Sequence, residues 1–317
     1  MSPPELLADS RVLWRMVRGL PRTGSAAERL QAFYAPQAGR YDAFRKRLLH
    51  GREELIQRLP AADGDVVVEL GCGTGENMER FGGRLAALRR LTLVDLCPAL
   101  LEQARARASR FSNVEVVEAD ITRYQPPQQV DCVYLSYALT MVDDWRATVA
   151  NAVAMIRPGG TLGVVDFYVS SARPVSGRVR HPAWERWLWR RWFGHDGVKL
   201  DPAHMAELAA AMPDCRILEA RGRVPYLPGL AAPYYLFFGR KRQGDDAASS
   251  ASSLGPSTRP IFTDPSYSTT PKAISASSRA IEALMWRDSN RRILDAKAIR
   301  PRSAATITIA SMLARCQ

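Results

Sequence analysis

Short apolar runs alternate with amphipathic stretches through the middle of this 317-residue chain. Runs rich in Val, Leu and Ile stand at 65–70 (DVVVEL), 91–95 (LTLVD), 114–118 (VEVVE), 130–136 (VDCVYLS) and 161–167 (TLGVVDF), and each reads as a strand. The stretches at about 75–89, 98–110, 144–157 and 202–212 read as helices. Strands this apolar, interleaved with helices, predict a parallel sheet covered on both faces. Two more strands follow at 215–223 (CRILEARGR) and 234–240 (YYLFFGR), joined by a Pro- and Gly-rich turn around Val224 to Pro233. A strand that returns so soon can pair only antiparallel. The expectation is an α/β fold, a doubly wound and mostly parallel seven-stranded sheet that ends in an antiparallel hairpin.

The flanks read differently. Residues 1–60 carry helical periodicity, through Leu13, Met16 and Val17 and then Phe44, Leu48, Leu49, Leu55 and Ile56, and form a helical lead-in to a core at 61–242. After Arg242 serine and proline rise and apolar residues thin out, so 243–317 is expected to be a low-complexity, disordered tail.

Composition narrows the setting. Apolar residues make up 46% and charged residues 24%, ordinary for a globular chain, but the net charge is +12. Such a balance favours phosphate-bearing surfaces, whether nucleic acid, anionic lipid or a phosphorylated small molecule. Most of the excess charge belongs to residues 1–242. The five cysteines, Cys72, Cys97, Cys132, Cys215 and Cys316, form no CxxC pair and no cluster at zinc spacing, so no metal is expected and a reducing cytoplasm fits. No run approaches the roughly 18 apolar residues of a spanning helix, and the arginine-broken N-terminus does not read as a signal peptide. Any membrane contact would be peripheral.

The most informative segment is Glu69-Leu-Gly71-Cys-Gly73-Thr-Gly75, between a Val-rich strand and a helix. Alternate glycines let the backbone turn tightly and let a ligand approach where a Cβ would clash. Asp95 closes the second strand 20 positions beyond Gly75, where an acid can hold ribose hydroxyls, and Asp120 follows the third strand, where it can meet an adenine amino group. Alone, either acid reads equally as a helix cap or turn former. Together the three features sit at the carboxyl ends of neighbouring strands, where open α/β sheets bind ligands.

The order E-x-G-x-G-x-G, rather than G-x-G-x-x-G, resembles the first motif of class I methyltransferases. Asp95, Asp120, Ser136 at a strand end, the Arg157-Pro-Gly-Gly160 turn and the terminal hairpin follow that family's later motifs in order over residues 60–242. The resemblance implies S-adenosylmethionine as cofactor, held by Glu69, Gly71, Cys72, Gly73, Gly75, Asp95, Leu96, Asp120, Ile121 and Ser136. A narrower resemblance rests on Tyr41-Asp-Ala-Phe-Arg45, Leu48-Leu-His-Gly-Arg52, Ser136-Tyr-Ala-Leu-Thr-Met141 with Trp145, Asp166-Phe-Tyr168, His195-Asp-Gly-Val198 and Pro225-Tyr-Leu-Pro-Gly229. Over residues 30–242 these are similar to the BtaB-type S-adenosylmethionine:diacylglycerylhomoserine N-methyltransferases. The resemblance implies three methylations of that lipid's amino group, giving the betaine lipid diacylglyceryl-N,N,N-trimethylhomoserine, with the lead-in covering the active site.

Methyl transfer to an amine needs in-line positioning, a neutral nitrogen, and a surrounding that tolerates the cation formed. Aromatic faces stabilise such cations by about 0.5–2 kcal/mol each. Tyr34, Tyr41, Tyr137, Trp145 and Tyr168 are candidates, although each ring would serve equally as core packing. Tyr137, Tyr41, His50 and His195 are the expected catalytic set, the histidines as acceptors of the amine proton. Tyr34, Arg45, Trp145 and Tyr168 are the expected substrate contacts. A helix through Trp184–Phe193 would place Trp184, Trp187, Leu188 and Trp192 on one face flanked by Arg186 and Arg190, as at a membrane surface, although a helix packed over the sheet reads the same way. The expected setting is peripheral, on the inner face of the membrane, with the enzyme that makes diacylglycerylhomoserine as a functional partner. The alternatives are a phosphatidylethanolamine or quinone methyltransferase, and then an RNA methyltransferase or non-catalytic nucleic-acid module. No specific nucleic acid is expected, since Ser136-Tyr-Ala-Leu stands where base-amino enzymes carry an Asn/Asp-Pro-Pro-Tyr motif.

Overall fold

The computed structural model describes residues 47–194, 197–224 and 229–243. The chain divides into units at residues 1–253 and 254–317, and every described residue belongs to the first. The expected disordered tail lies outside the described residues, as do the lead-in residues before Arg47.

Helix α1 (Arg52–Arg58) precedes β1 (Val66–Leu70), which opens with three β-branched valines and has four of its five residues buried. After β1 come a 3₁₀ turn (Glu76–Phe81) and a single helical turn, α2 (Arg84–Ala87). The continuous helix expected over 75–89 does not form. Gly82 and Gly83 split it, Gly82 adopting a φ of 55° that ends the first segment. Then follow β2 (Arg90–Asp95), α3 (Pro98–Ala108), β3 (Val114–Glu118) and β4 (Val130–Ser136). Proline at the first position of α3 costs no hydrogen bond, because that N–H would lack an intrahelical partner anyway. Helix α4 (Trp145–Met155) starts at Asp144, whose carboxylate accepts the Ala147 amide at 3.1 Å.

Strand β5 runs from Ile156 to Phe167, absorbing the Arg157–Gly160 segment that was expected to be a turn. Its register against β4 shifts between Val130 and Cys132, and on its other edge Gly159 and Gly160 exchange backbone hydrogen bonds of 2.9 Å with Lys241, the residue after β7. Helices α5 (Ala183–Gly194) and α6 (His204–Ala211) lead to the hairpin β6 (Asp214–Arg223) and β7 (Ala231–Arg240). The strand order is β3-β2-β1-β4-β5-β7-β6, parallel except where β7 pairs antiparallel with β5 and β6. This is the expected doubly wound sheet.

Successive strand residues feed two apolar layers, one per face. Val67, Leu93, Tyr134, Val165, Phe167, Tyr234 and Leu236 pack on one face with α1, Trp189 and Phe193. Val68, Val94, Leu135, Val164, Tyr168, Tyr235 and Phe237 pack on the other with α4 and α6. The order reverses between β1 and β4, so a crevice opens at their carboxyl ends.

Candidate active site

The glycine loop leaves β1 with its amides already directed. Gly71 and Cys72 donate to the Val94 carbonyl at 2.8 and 3.0 Å, and Gly75 donates to the Cys72 carbonyl at 3.0 Å. Gly71, Gly73 and Gly75 have φ of 76°, 57° and 71°, where an L side chain is strained. A Cβ on Gly71 would also stand 2.5 Å from the Ala138 Cβ. This loop therefore lies directly against the segment that follows β4.

Glu69 is fully buried and braces the loop from below, accepting from Asn77 Nδ2 at 2.7 Å and from the Tyr134 hydroxyl at 2.8 Å. A second buried pair ties the lead-in to the loop. Arg52 donates to Glu76, the residue after Gly75, at 3.1 Å, and Arg80 reaches the other oxygen of Glu76 at 3.4 Å.

Asp95 holds the loop from the side, its Oδ2 accepting the Gly73 amide at 2.8 Å and its Oδ1 the Cys97 amide at 2.9 Å. Its position at the carboxyl end of β2, beside the loop, is where an acid can meet the hydroxyls of a ribose. Leu96 is half-buried beside it. Asp120 is exposed, and its Oδ1 accepts both the amide and the hydroxyl of Thr122, at 2.9 and 2.8 Å. It is thus a turn former with a carboxylate fixed in place, and the neighbouring Ile121 is buried against the loop. Ser136 ends β4 with its hydroxyl buried and without a hydrogen-bond partner. A buried hydroxyl of that kind costs about 1–3 kcal/mol unless a ligand meets it. Glycine loop, strand-end acids and orphan hydroxyl together fit a nucleoside-bearing cofactor.

Next to Ser136, Tyr137 has φ 55° and is the only non-glycine residue with positive φ among the described residues. Its amide donates to the Val165 carbonyl at 2.8 Å and its hydroxyl to the His50 carbonyl at 2.6 Å. Burial holds the phenol well above its ordinary pKa, with the nearby Asp166 adding to the effect, so Tyr137 keeps its proton at neutral pH. Its ring is therefore better suited to packing or cation contact than to accepting a proton. Phe167 lies 4.6 Å from it and Phe193 4.4 Å from Phe167, centroid to centroid. His50 stacks at 6.2 Å on Tyr234, and its Nε2 lies 2.9 Å from the Arg223 carbonyl. A carbonyl has only lone pairs to offer, so Nε2 carries a hydrogen and donates it. The structure thus gathers Tyr137 and His50 with Phe167, Phe193 and Tyr234 on one face of the sheet, beside the cofactor loop.

Trp145 and Tyr168 belong to the opposite face. Trp145 is buried between His204, 4.4 Å away edge-on, and the Arg146 guanidinium at 4.1 Å. The Tyr168 hydroxyl donates to Glu219 at 2.9 Å, and its ring lies 5.0 Å from His181. Neither ring is brought together with Tyr137. Tyr34, Tyr41, Arg45 and His195 lie outside the described residues.

Asp166 escaped the reading of the sequence as an individual site residue. It is fully buried at the end of β5, where it accepts the Thr140 hydroxyl at 2.7 Å, the Thr140 amide at 3.1 Å and the Phe167 amide at 2.8 Å. Burial pushes its carboxyl up to about 6, against the opposing effect of those hydrogen bonds. The signal was an acid inside the otherwise apolar TLGVVDF run.

Comparison with known proteins agrees with this geometry. Residues 67–160 match the family described as Methyltransferase domain. The trans-aconitate 2-methyltransferase of Escherichia coli O157:H7 (strain EC4115 / EHEC) is 32% identical over 133 residues, which cover 42% of this chain and 51% of that protein. The chain spans about half the length of the curated relatives it matches. Among solved structures, phospholethanolamine N-methyltransferase 2 of Haemonchus contortus aligns with a TM-score of 0.55 at 13% identity, covering 70% of this chain and 61% of that one. The [4+2]-cyclase SpnF aligns with a TM-score of 0.52 at 14% identity, covering 71% and 100%. That a cyclase shares the fold shows that the architecture alone does not set the reaction. Residues 67–160 thus match a methyltransferase domain and lie on the class I fold, and the cofactor that the loop, acids and orphan hydroxyl serve is S-adenosylmethionine.

Proposed function

We propose that the protein transfers methyl groups to the amino nitrogen of diacylglycerylhomoserine, producing the trimethylated betaine lipid, while resting peripherally on the inner face of the membrane. The observation that carries this reading is the group of rings beside the cofactor loop, Tyr137, Phe167, Phe193, Tyr234 and His50. Aromatic faces suit an amine that becomes a fixed cation. The segments Leu48–Arg52 and Ser136–Met141, which carry the narrower resemblance, meet here through the bond between the Tyr137 hydroxyl and the His50 carbonyl.

Glu69, Gly71, Cys72, Gly73, Gly75, Asp95, Leu96, Asp120, Ile121 and Ser136 would hold the cofactor, which when bound supplies an electrophilic methyl group on a positively charged sulfur. The chain's own residues do the rest. Tyr137 and its neighbouring rings orient the acceptor nitrogen and exclude water, and positioning of this kind is worth up to roughly 7–11 kcal/mol in good cases. Nδ1 of His50 is the nitrogen in this group able to take up the amine proton, directly or through water. The N-methyltransferase likeness of the Haemonchus protein supplies the fold and no acceptor, and the trans-aconitate relative acts on a carboxylate-rich molecule; a small-acid acceptor is therefore the competing reading.

The test incubates purified protein with radiolabelled S-adenosylmethionine and lipids from cells that accumulate diacylglycerylhomoserine. Label in mono-, di- and trimethylated homoserine lipids is the expected result. Label in phosphatidylethanolamine, in quinones or in aconitate would overturn the acceptor and keep the methyltransferase.

A further inference from the structure

The exposed large apolar side chains among the described residues are Val175 (74%), Val179 (41%), Trp184 (59%), Trp187 (58%) and Trp192 (36%). All five fall within one segment of 18 residues, the connection that leaves β5 and continues through α5. The whole connection, from residue 168 to 194, carries Arg173, Arg178, Arg180, Arg186, Arg190 and Arg191 against a single acid of its own, Glu185. Glu185 is buried and forms a two-pronged pair with Arg221, so it does not offset the outward charge. Arg173, Arg180, Arg190 and Arg191 are exposed. Between Trp187 and Arg186, Arg190 and Arg191 lies a shallow depression of about 450 Å³, lined on its remaining side by Ala183. Indole rings flanking guanidinium groups on one helix face match the boundary of a bilayer, where the rings sit among headgroups and the cations meet phosphate.

The inner side of the helix gives the surface a position. Trp189 and Phe193 are buried, and Phe193 stacks on Phe167, which in turn packs on Tyr137. After the helix, the Lys199 amide donates to the Thr140 carbonyl at 2.7 Å, tying the same connection to the segment that carries Tyr137. No helix among the described residues is long and apolar enough to cross a membrane.

We infer that the Val175–Val179 loop and the outer face of α5 form a docking surface for an anionic lipid bilayer, with Trp184, Trp187 and Trp192 entering the headgroup layer and Arg190 and Arg191 meeting lipid phosphate. Docking there sets the Tyr137 side of the sheet against the membrane, so a lipid amine reaches the rings without its acyl chains leaving the bilayer. The inference rests on the lipid reading for its purpose and on the surface alone for its binding. An uncharged bilayer would engage only the rings; the arginines make the surface select anionic headgroups.

The full-length protein is sedimented with vesicles of phosphatidylcholine alone and of phosphatidylcholine with about a third phosphatidylglycerol, without cofactor or acceptor lipid. Tight binding to the anionic vesicles alone, lost with added salt and accompanied by a blue shift of tryptophan fluorescence, is the expected result. Reversing Arg190 and Arg191 to Glu should weaken partitioning at least tenfold, since each interfacial cation accounts for several-fold in binding. Trp184→Ala with Trp187→Ala should weaken it at least as much, and both side chains are exposed enough for the fold to survive their loss. A charge-matched control, Arg105→Glu with Arg110→Glu on α3 and the turn after it, should bind as the parent does. Equal loss in the control, binding unchanged in the tryptophan variant, or a dimer whose formation quenches the same tryptophans would each overturn the docking surface. Methylation of the lipid in detergent micelles without vesicle binding would sink the surface and leave the acceptor standing, whereas vesicle binding without methylation in micelles would do the reverse.

Discussion

Replacing Gly71 by alanine separates two costs that the glycine loop avoids. The first is conformational: at φ 76° an L residue is destabilised by roughly 1–2 kcal/mol. The second is steric, because the new Cβ would stand 2.5 Å from the Ala138 Cβ, more than 1 Å inside ordinary carbon contact. Relief means shifting either the loop or the segment that carries Ser136 and Tyr137, and overpacking of this kind costs typically about 1–3 kcal/mol. Gly71→Ala should therefore lose about 2–5 kcal/mol, close to 5–15 °C in melting temperature for a domain of this size.

Two further variants divide that loss. Gly64 has φ 82° with nothing within 4 Å of its would-be Cβ, so Gly64→Ala carries the conformational cost alone. The double variant G71A/A138G removes the opposing Cβ and should return to within about 1 kcal/mol of G64A. Urea unfolding gives the stabilities, and calorimetric titration with S-adenosylhomocysteine gives the affinities. Binding should fall at least tenfold in Gly71→Ala, remain at the parent value in Gly64→Ala and recover partly in the double variant. If A138G fails to rescue Gly71→Ala, the contact between loop and post-β4 segment is not what the glycine protects. If Gly64→Ala costs as much as Gly71→Ala, the steric argument is wrong.

Asp95→Ala removes the acceptor of the Gly73 and Cys97 amides together with the groups offered to the ribose, and cofactor affinity should drop about a hundredfold or more in the same titration; unchanged affinity would refute the assignment. Asp166 predicts a pH effect of definite sign. Its folded pKa of about 6 lies above the ordinary 3.8, so the stability it contributes is present at low pH and is lost as pH rises through about 6. Relative to Asp166→Asn, the parent should be about 1.4 kcal/mol better off at pH 5 than at pH 7.5, by urea unfolding at both values; a difference independent of pH would discard the buried-acid account. Arg52→Met removes one of the two arginines that meet buried Glu76 and should destabilise by about 3 kcal/mol, while R52M/E76M should recover most of that if the loss comes from the weakened pairing of the buried charge.

The strands were legible because each is an apolar run bounded by turn residues, and the glycine loop because its spacing occurs where a strand meets a helix. The break at Gly82-Gly83 was hidden by the apolar residues on either side, Met78 and Phe81 before and Leu85 after, which keep a helical spacing across a helix that does not form. Which rings face the site was not legible. Both faces of the sheet are covered, so neither is marked by polar residues, and adjacent positions such as Phe167 and Tyr168 read alike although they point to opposite layers. Glu69 shows the opposite case: its place before the glycines was legible, whereas its engagement with Asn77 and Tyr134 beneath the loop depends on side chains 8 and 65 positions away.

Tyr137 gives the strongest reason to place the acceptor where the rings meet. A glycine would adopt its φ of 55° without strain, yet a large side chain stands there at a cost of about 1–3 kcal/mol. Four connections from different parts of the chain maintain that conformation. The Val165 carbonyl takes its amide, the His50 carbonyl takes its hydroxyl, Asp166 holds Thr140 three positions on, and Lys199 donates to the carbonyl of the same threonine. A conformation so constrained is stable only because the surroundings determine it more than once. The constraint delivers one thing that glycine could not, an aromatic ring packed on Phe167 and tied to His50 directly after the strand end that carries Ser136. Since the phenol is held protonated and bonded to a backbone carbonyl, its ring rather than its hydroxyl is the part suited to the proposed acceptor, a neutral amine whose methylated product is a cation.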